Sequence, residues 1–124
     1  MSKLDDLLTE IHGEIGGELI QISICGPDGM AIARETILKD TEIADTITGR
    51  AVMAIQTARK ATDKLKLGNY EETILTSDKS YVLTKFIGDG SYSVLLSFTR
   101  KATLGTVRMI LEEYSSKLWD AIPR

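Results

Sequence analysis

Apolar residues recur along this chain with two different periods, and the switches between them predict its elements. Leu4, Leu7, Leu8, Ile11 and Ile15 fall on one stripe at about 100° per residue, while Asp5, Asp6 and Glu10 fall off it, so the chain opens with an amphipathic helix. Ser2 and Asp5 supply a capping arrangement, and Gly13 with the Gly16-Gly17 pair closes the helix. The period then drops to two. Ile20, Ile22 and Ile24 alternate with Gln21, Ser23 and Cys25, and Gly26-Pro27-Asp28-Gly29 has the residues of a tight turn. Met30, Ile32 and Arg34 carry the alternation onto a return strand, which makes a β-hairpin.

The helical period returns over residues 41–66, with Asp40 or Thr41 as N-cap. Ile43, Ile47, Ala51, Ala54, Ile55, Ala58, Ala61 and Leu65 cluster within about 120° of arc, a face predicted to lie closely on a sheet. Gly68-Asn69 ends it. Three strands follow, Tyr70–Thr76, Ser80–Ile87 and Tyr92–Thr99, joined by short polar turns as in an antiparallel meander. The last, with Val94-Leu95-Leu96 and Phe98, is apolar on both faces and should be central; the first begins polar and should be an edge. Leu104, Val107, Ile110, Leu111, Tyr114, Leu118 and Ile122 then mark a final helix from about Ala102 to Ile122. The order α-β-β-α-β-β-β-α predicts an α+β protein of the α/β class: a three-layer α/β/α sandwich around a five-stranded antiparallel sheet, profilin-like in layout. Residues 1–124 should form a single domain.

Val52 and Met53 project away from the apolar face assigned to the long helix. Gly49 and Gln56 lie near them, flanked by Asp45, Arg59 and Lys60. An apolar strip of small and adaptable residues with a charged rim fits a partner-binding surface. Two exposed apolar residues are also ordinary on any protein surface. Met109 and Trp119, off the main stripe of the last helix, admit the same two readings of local packing or contact.

Composition narrows the chemistry. Fifteen Lys+Arg against 18 Asp+Glu give a net charge of −3, which offers no field for nucleic acid or an anionic membrane. The basic segment Arg59-Lys60…Lys64…Lys66 sits where it favours the helix dipole. One Cys (Cys25) and one His (His12) exclude a disulfide framework and a zinc site of several soft ligands. Cys25 reads as a small apolar filler and His12 as a partly buried surface residue. The pairs Asp5-Asp6, Glu71-Glu72 and Glu112-Glu113 point apart in their elements, so none is a paired-carboxylate site. Gly88-Asp89-Gly90 joins two strands and opens no helix, which makes it a turn and not a phosphate cradle. No catalytic, cofactor or metal site is predicted, and the short apolar runs and acidic opening point to a cytoplasmic setting without membrane insertion.

The element order, with Asp28-Gly29 in the first hairpin, Gly88-Asp89-Gly90 before the apolar strand and Ala102-Thr103-Leu104-Gly105-Thr106-Val107-Arg108 opening the last helix, resembles the Roadblock/dynein light chain family from about Leu4 to Trp119. The resemblance implies a small non-catalytic protein that forms homodimers or heterodimers with a paralogous Roadblock protein. It also implies that the strand after the long helix pairs with its mate and that the long helices lie side by side. On that reading the interface holds Gly49, Val52, Met53, Gln56 and Arg59 of the helix, and Tyr70, Glu72, Ile74 and Thr76 of the strand. Prokaryotic relatives act with Ras-like small GTPases, which implies a regulator or scaffold for such a GTPase. An activator can insert an arginine to stabilise transition-state charge; Arg50 and Arg59 lie on the long helix, and neither is assigned that part. The alternative is a small-molecule sensor of PAS- or GAF-like type. Its cavity is disfavoured by an alanine-rich helix face and by only two Phe and one Trp.

Overall fold

The computed structural model describes residues 2–124, and its elements run in the predicted order. Helix α1 (Lys3–Ile15) is capped by Ser2, whose Oγ accepts the Asp5 N–H at 3.1 Å. A short 3₁₀ turn leads into β1 (Leu19–Cys25) and β2 (Ala31–Thr36), joined by the expected turn with Gly29 at φ +82°. Helix α2 (Thr41–Lys64) is capped by the Asp40 carboxylate, which accepts the N–H groups of Glu42 and Ile43. Strands β3 (Thr73–Thr76), β4 (Ser80–Ile87) and β5 (Tyr92–Thr99) precede α3 (Leu104–Ala121). Gly88 and Gly90 both have positive φ, in a turn closed by Trp119 of α3 packed against Gly88.

The strands form one antiparallel sheet in the order β2-β1-β5-β4-β3, with β5 in the middle and β3 on an edge as predicted. Strand β3 is shorter than predicted. It starts at Thr73, because Glu72 is drawn to Arg108 of α3 at 2.7 Å and Tyr70 turns its ring edge-on to Phe86.

Because side chains alternate across a strand, the register sorts residues onto two faces. The paired row Glu35, Ile22, Leu96, Leu83 and Ile74 looks toward α1 and α3, whose Leu4, Leu8, Ile11, Val107, Leu111 and Leu118 complete the main core. The adjacent row, Thr36, Gln21, Ser97, Val82 and Leu75, looks toward α2 and is far more polar. So is the next, Arg34, Ser23, Leu95, Thr84 and Thr73. On one side α1 and α3 bury a continuous apolar layer; on the other, α2 meets a sheet face built largely from hydroxyls and an amide.

Candidate interaction surface

Helix α2 docks through the residues that suit that polar face. Its buried positions are Ala44, Thr48, Val52 and Ile55. The Gln21 Nε2 donates to Thr48 Oγ1 and to Ser23 Oγ, each at 2.9 Å, while its Oε1 accepts from Thr36 Oγ1 at 3.2 Å. Thr48 in turn donates to the Ala44 carbonyl at 2.8 Å, so the polar groups around Gln21 are bonded to one another. Ser93 Oγ, in the same layer, is buried without a partner among the described residues. Two ties hold the helix at its flanks. Arg34 of β2 grips the Asp45 carboxylate through Nε and a terminal nitrogen at 2.6 and 2.5 Å. Arg59 lies over the Phe86 ring at 3.7 Å and donates to the Gly90 carbonyl at 3.0 Å.

This docking corrects the sequence reading of α2. Val52 is not an interface residue: it is only 1% exposed and faces the sheet with Ile55. The stripe expected to lie on the sheet is instead largely turned outward. Ile43, Ile47 and Leu65 are 54%, 47% and 66% exposed, and Ala54 and Ala61 are exposed with them. The physical reason lies beneath the helix: hydroxyls and the Gln21 amide need hydrogen-bonding and small partners, which Thr48 and Ala44 supply and a stripe of isoleucines does not.

At about 100° per residue, α2 therefore presents three faces. Ala44, Thr48, Val52 and Ile55 point down. Ile43, Ile47, Ala54, Ala61 and Leu65 form an apolar flank about 120° away. On the other flank Glu42, Asp45, Thr46, Gly49, Arg50 and Met53 line a cleft of about 450 Å³ against the hairpin residues Asp28, Gly29, Met30 and Ala31. Since the cleft flank faces the β1–β2 hairpin, the apolar flank faces the opposite end of the sheet. There Leu75 is exposed and Val82 and Ser97 are half-buried, a corner that α2 leaves uncovered beside the open edge of β3.

The remaining residues assigned from sequence distribute over these surfaces. Gly49 and Met53 line the cleft, Gln56 is half-buried, and Arg59 is occupied by Phe86 and Gly90. Tyr70 lies ahead of β3, with its hydroxyl bonded to Thr73 Oγ1. Glu72 is paired with Arg108, Ile74 packs against the main core, and Thr76 is exposed on the edge strand. The apolar flank was the part missed. Its signal was present in the sequence as polar residues at the alternate positions of β1 (Gln21, Ser23) and β5 (Ser93, Ser97), which mark a sheet face unsuited to isoleucine.

His12 and Cys25 sit as expected. His12 Nδ1 lies 2.8 Å from a Glu35 carboxylate oxygen, half-exposed, tying α1 to β2. Burial pushes the Cys25 thiol up to about 12, so it is no nucleophile at neutral pH. Among the described residues no group of three or more His, Cys, Asp or Glu is placed to hold a metal ion, and no helix is long and apolar enough to cross a membrane.

No family model matches the sequence, and no curated protein does. Solved structures match with the whole arrangement. MglB of Myxococcus xanthus superposes with a TM-score of 0.83 at 10% identity, covering 97% of each chain. A Roadblock/LC7 domain from Streptomyces avermitilis gives 0.77 at 16% identity, covering 95% of this chain and 99% of that one. This chain has the Roadblock/LC7 fold. The wider profilin-like layout is also present: profilin IB of Acanthamoeba castellanii superposes at 0.62 with 15% identity, covering 97% of this chain and all of the other. At these identities the likeness is one of architecture. The placement of the apolar flank and the open strand edge comes from this chain's own residues.

Proposed function

We propose that this chain is a non-catalytic, self-associating Roadblock-type scaffold, a single domain working in the cytoplasm, that binds a Ras-like small GTPase and modulates its activity or localisation. The observation that carries the reading is the apolar flank of α2 lying beside the uncovered sheet corner and the open β3 edge. Ile43, Ile47, Ala54, Ala61 and Leu65 would stack against the same residues of a second copy. Strand β3 would pair with its mate, satisfying backbone groups that a lone edge leaves to water. Alanines at positions 54 and 61 let two helices approach closely, near the short end of the roughly 8–10 Å range of packed helices.

The GTPase part rests on the resemblance to prokaryotic Roadblock proteins. Direct seating of α2 on the sheet through Gln21 and Thr48 favours a scaffold over a sensor with a ligand held between helix and sheet. Phe86 and the Gly90 carbonyl hold Arg59 within the fold, which favours regulation by holding the GTPase's own groups in place over insertion of that residue.

The test is binding of the full chain to Ras-like GTPases of its own organism, loaded with GDP or with a non-hydrolysable GTP analogue. The proposal expects saturable binding that prefers one nucleotide state. Absence of binding in both states overturns the GTPase assignment and leaves self-association to be judged by mass.

A further inference from the structure

The cleft on the hairpin flank of α2 is centred about 120° around the helix from the flank proposed for self-association, so pairing through that flank would leave its Met30–Met53 side accessible. Its floor is backbone and small side chains: Gly29, Ala31 and Gly49, where a Cβ on Gly49 would come within 3.5 Å of the Gly29 carbonyl oxygen. Its walls are Met30 and Met53, each 68% exposed. Methionine is flexible and polarisable, and paired methionines accept apolar side chains of varied shape. The volume of about 450 Å³ falls in the ordinary range for binding clefts.

The rim fixes the sign of the occupant. Asp45 is already paired with Arg34, but Asp28, Glu42 and Arg50 take part in no ion pair among the described residues. The Asp28 carboxylate accepts the Met30 N–H at 3.0 Å within the turn, and Glu42 is exposed at the first turn of α2. Two free carboxylates against one guanidinium leave the opening negative.

We propose that this cleft docks a short cationic segment of a partner protein, with an apolar side chain seated between Met30 and Met53 and Lys or Arg meeting Asp28 and Glu42. Arg50 then faces a backbone carbonyl of the segment. The apolar anchor supplies affinity, and the rim charges supply orientation and a salt-dependent association rate.

A random peptide library displayed on phage and selected against the full chain tests this. Enriched peptides are expected to carry Lys or Arg beside Leu, Ile or Met. Their synthetic versions should bind at least ~10-fold more weakly to Met53→Glu and to Glu42→Lys, and more weakly at high salt. Both substitutions are at exposed positions, and circular dichroism confirms that the variants fold. Ile47→Asp, on the other flank, should leave peptide affinity unchanged. The proposal is overturned if nothing is enriched or if the enriched peptides are acidic or purely apolar. It is equally overturned if binding survives Met53→Glu and is lost in Ile47→Asp.

Discussion

Val52 and Met53 are neighbours in sequence with opposite fates in the structure, and truncating each to alanine tests how α2 is seated. Val52 is 1% exposed; removing its two methyl groups forfeits about 1.6 kcal/mol of transfer free energy at about 0.8 per buried carbon. An unfilled void adds up to roughly 1 kcal/mol, and the better helix propensity of alanine returns about 0.5. Val52→Ala should therefore cost about 2 kcal/mol. Met53 is 68% exposed, so Met53→Ala should stay within about 0.5 kcal/mol of wild type. Urea denaturation followed by circular dichroism resolves such a gap, provided both variants are compared at one protein concentration, since the proposed self-association would feed into apparent stability. Equal losses, or a larger loss at Met53, would mean that α2 is rotated by about one residue, roughly 100°, from the seating described here.

Further expectations follow from the other faces. Ile47→Asp removes exposed apolar surface and plants a carboxylate on the proposed pairing flank of each copy. Dissociation should be at least ~100-fold easier by sedimentation, with an unchanged circular dichroism spectrum; unaltered association would place the interface elsewhere. Gln21→Leu strips the amide that bridges Ser23, Thr36 and Thr48 and should destabilise the fold by about 1–3 kcal/mol, whereas a gain in stability would refute the polar interlayer. Burial raises Cys25 from 9.0 to about 12, so its contribution is complete below pH 9 and is lost as pH rises toward 12. Stability measured across that range should fall more in wild type than in Cys25→Ala. At neutral pH the thiol should react with a disulfide reagent only at the rate of unfolding; immediate reaction would contradict the burial.

The element order, the hairpin turn at Asp28-Gly29 and the central position of β5 were legible because each rests on a local period or on turn residues. The edge position of β3 was legible for the same reason, from its polar beginning. The orientation of α2 was not. A stripe of isoleucine and alanine ordinarily marks the side of a helix that faces its own sheet, and here it marks the side left over. That distinction depends on what lies across from the helix, which the register of β1 against β5 determines and no single window of sequence displays. The cleft was half visible: Gly49 and Met53 stood out as surplus, but the hairpin that walls them in with Met30 is separated from them by some twenty positions and joined only by the fold. Arg59 was assigned to the interface for the same reason, since Phe86 and the Gly90 carbonyl that hold it lie some thirty positions away in β4 and its following turn.

The proposed function stands on pairing of two copies through the apolar flank of α2 and the β3 edge. Solution mass by light scattering over a dilution series tests it most directly. Paired copies should run as a species of twice 13.6 kDa that dissociates only on strong dilution; a lone protomer of 13.6 kDa at every concentration would rule the pairing out.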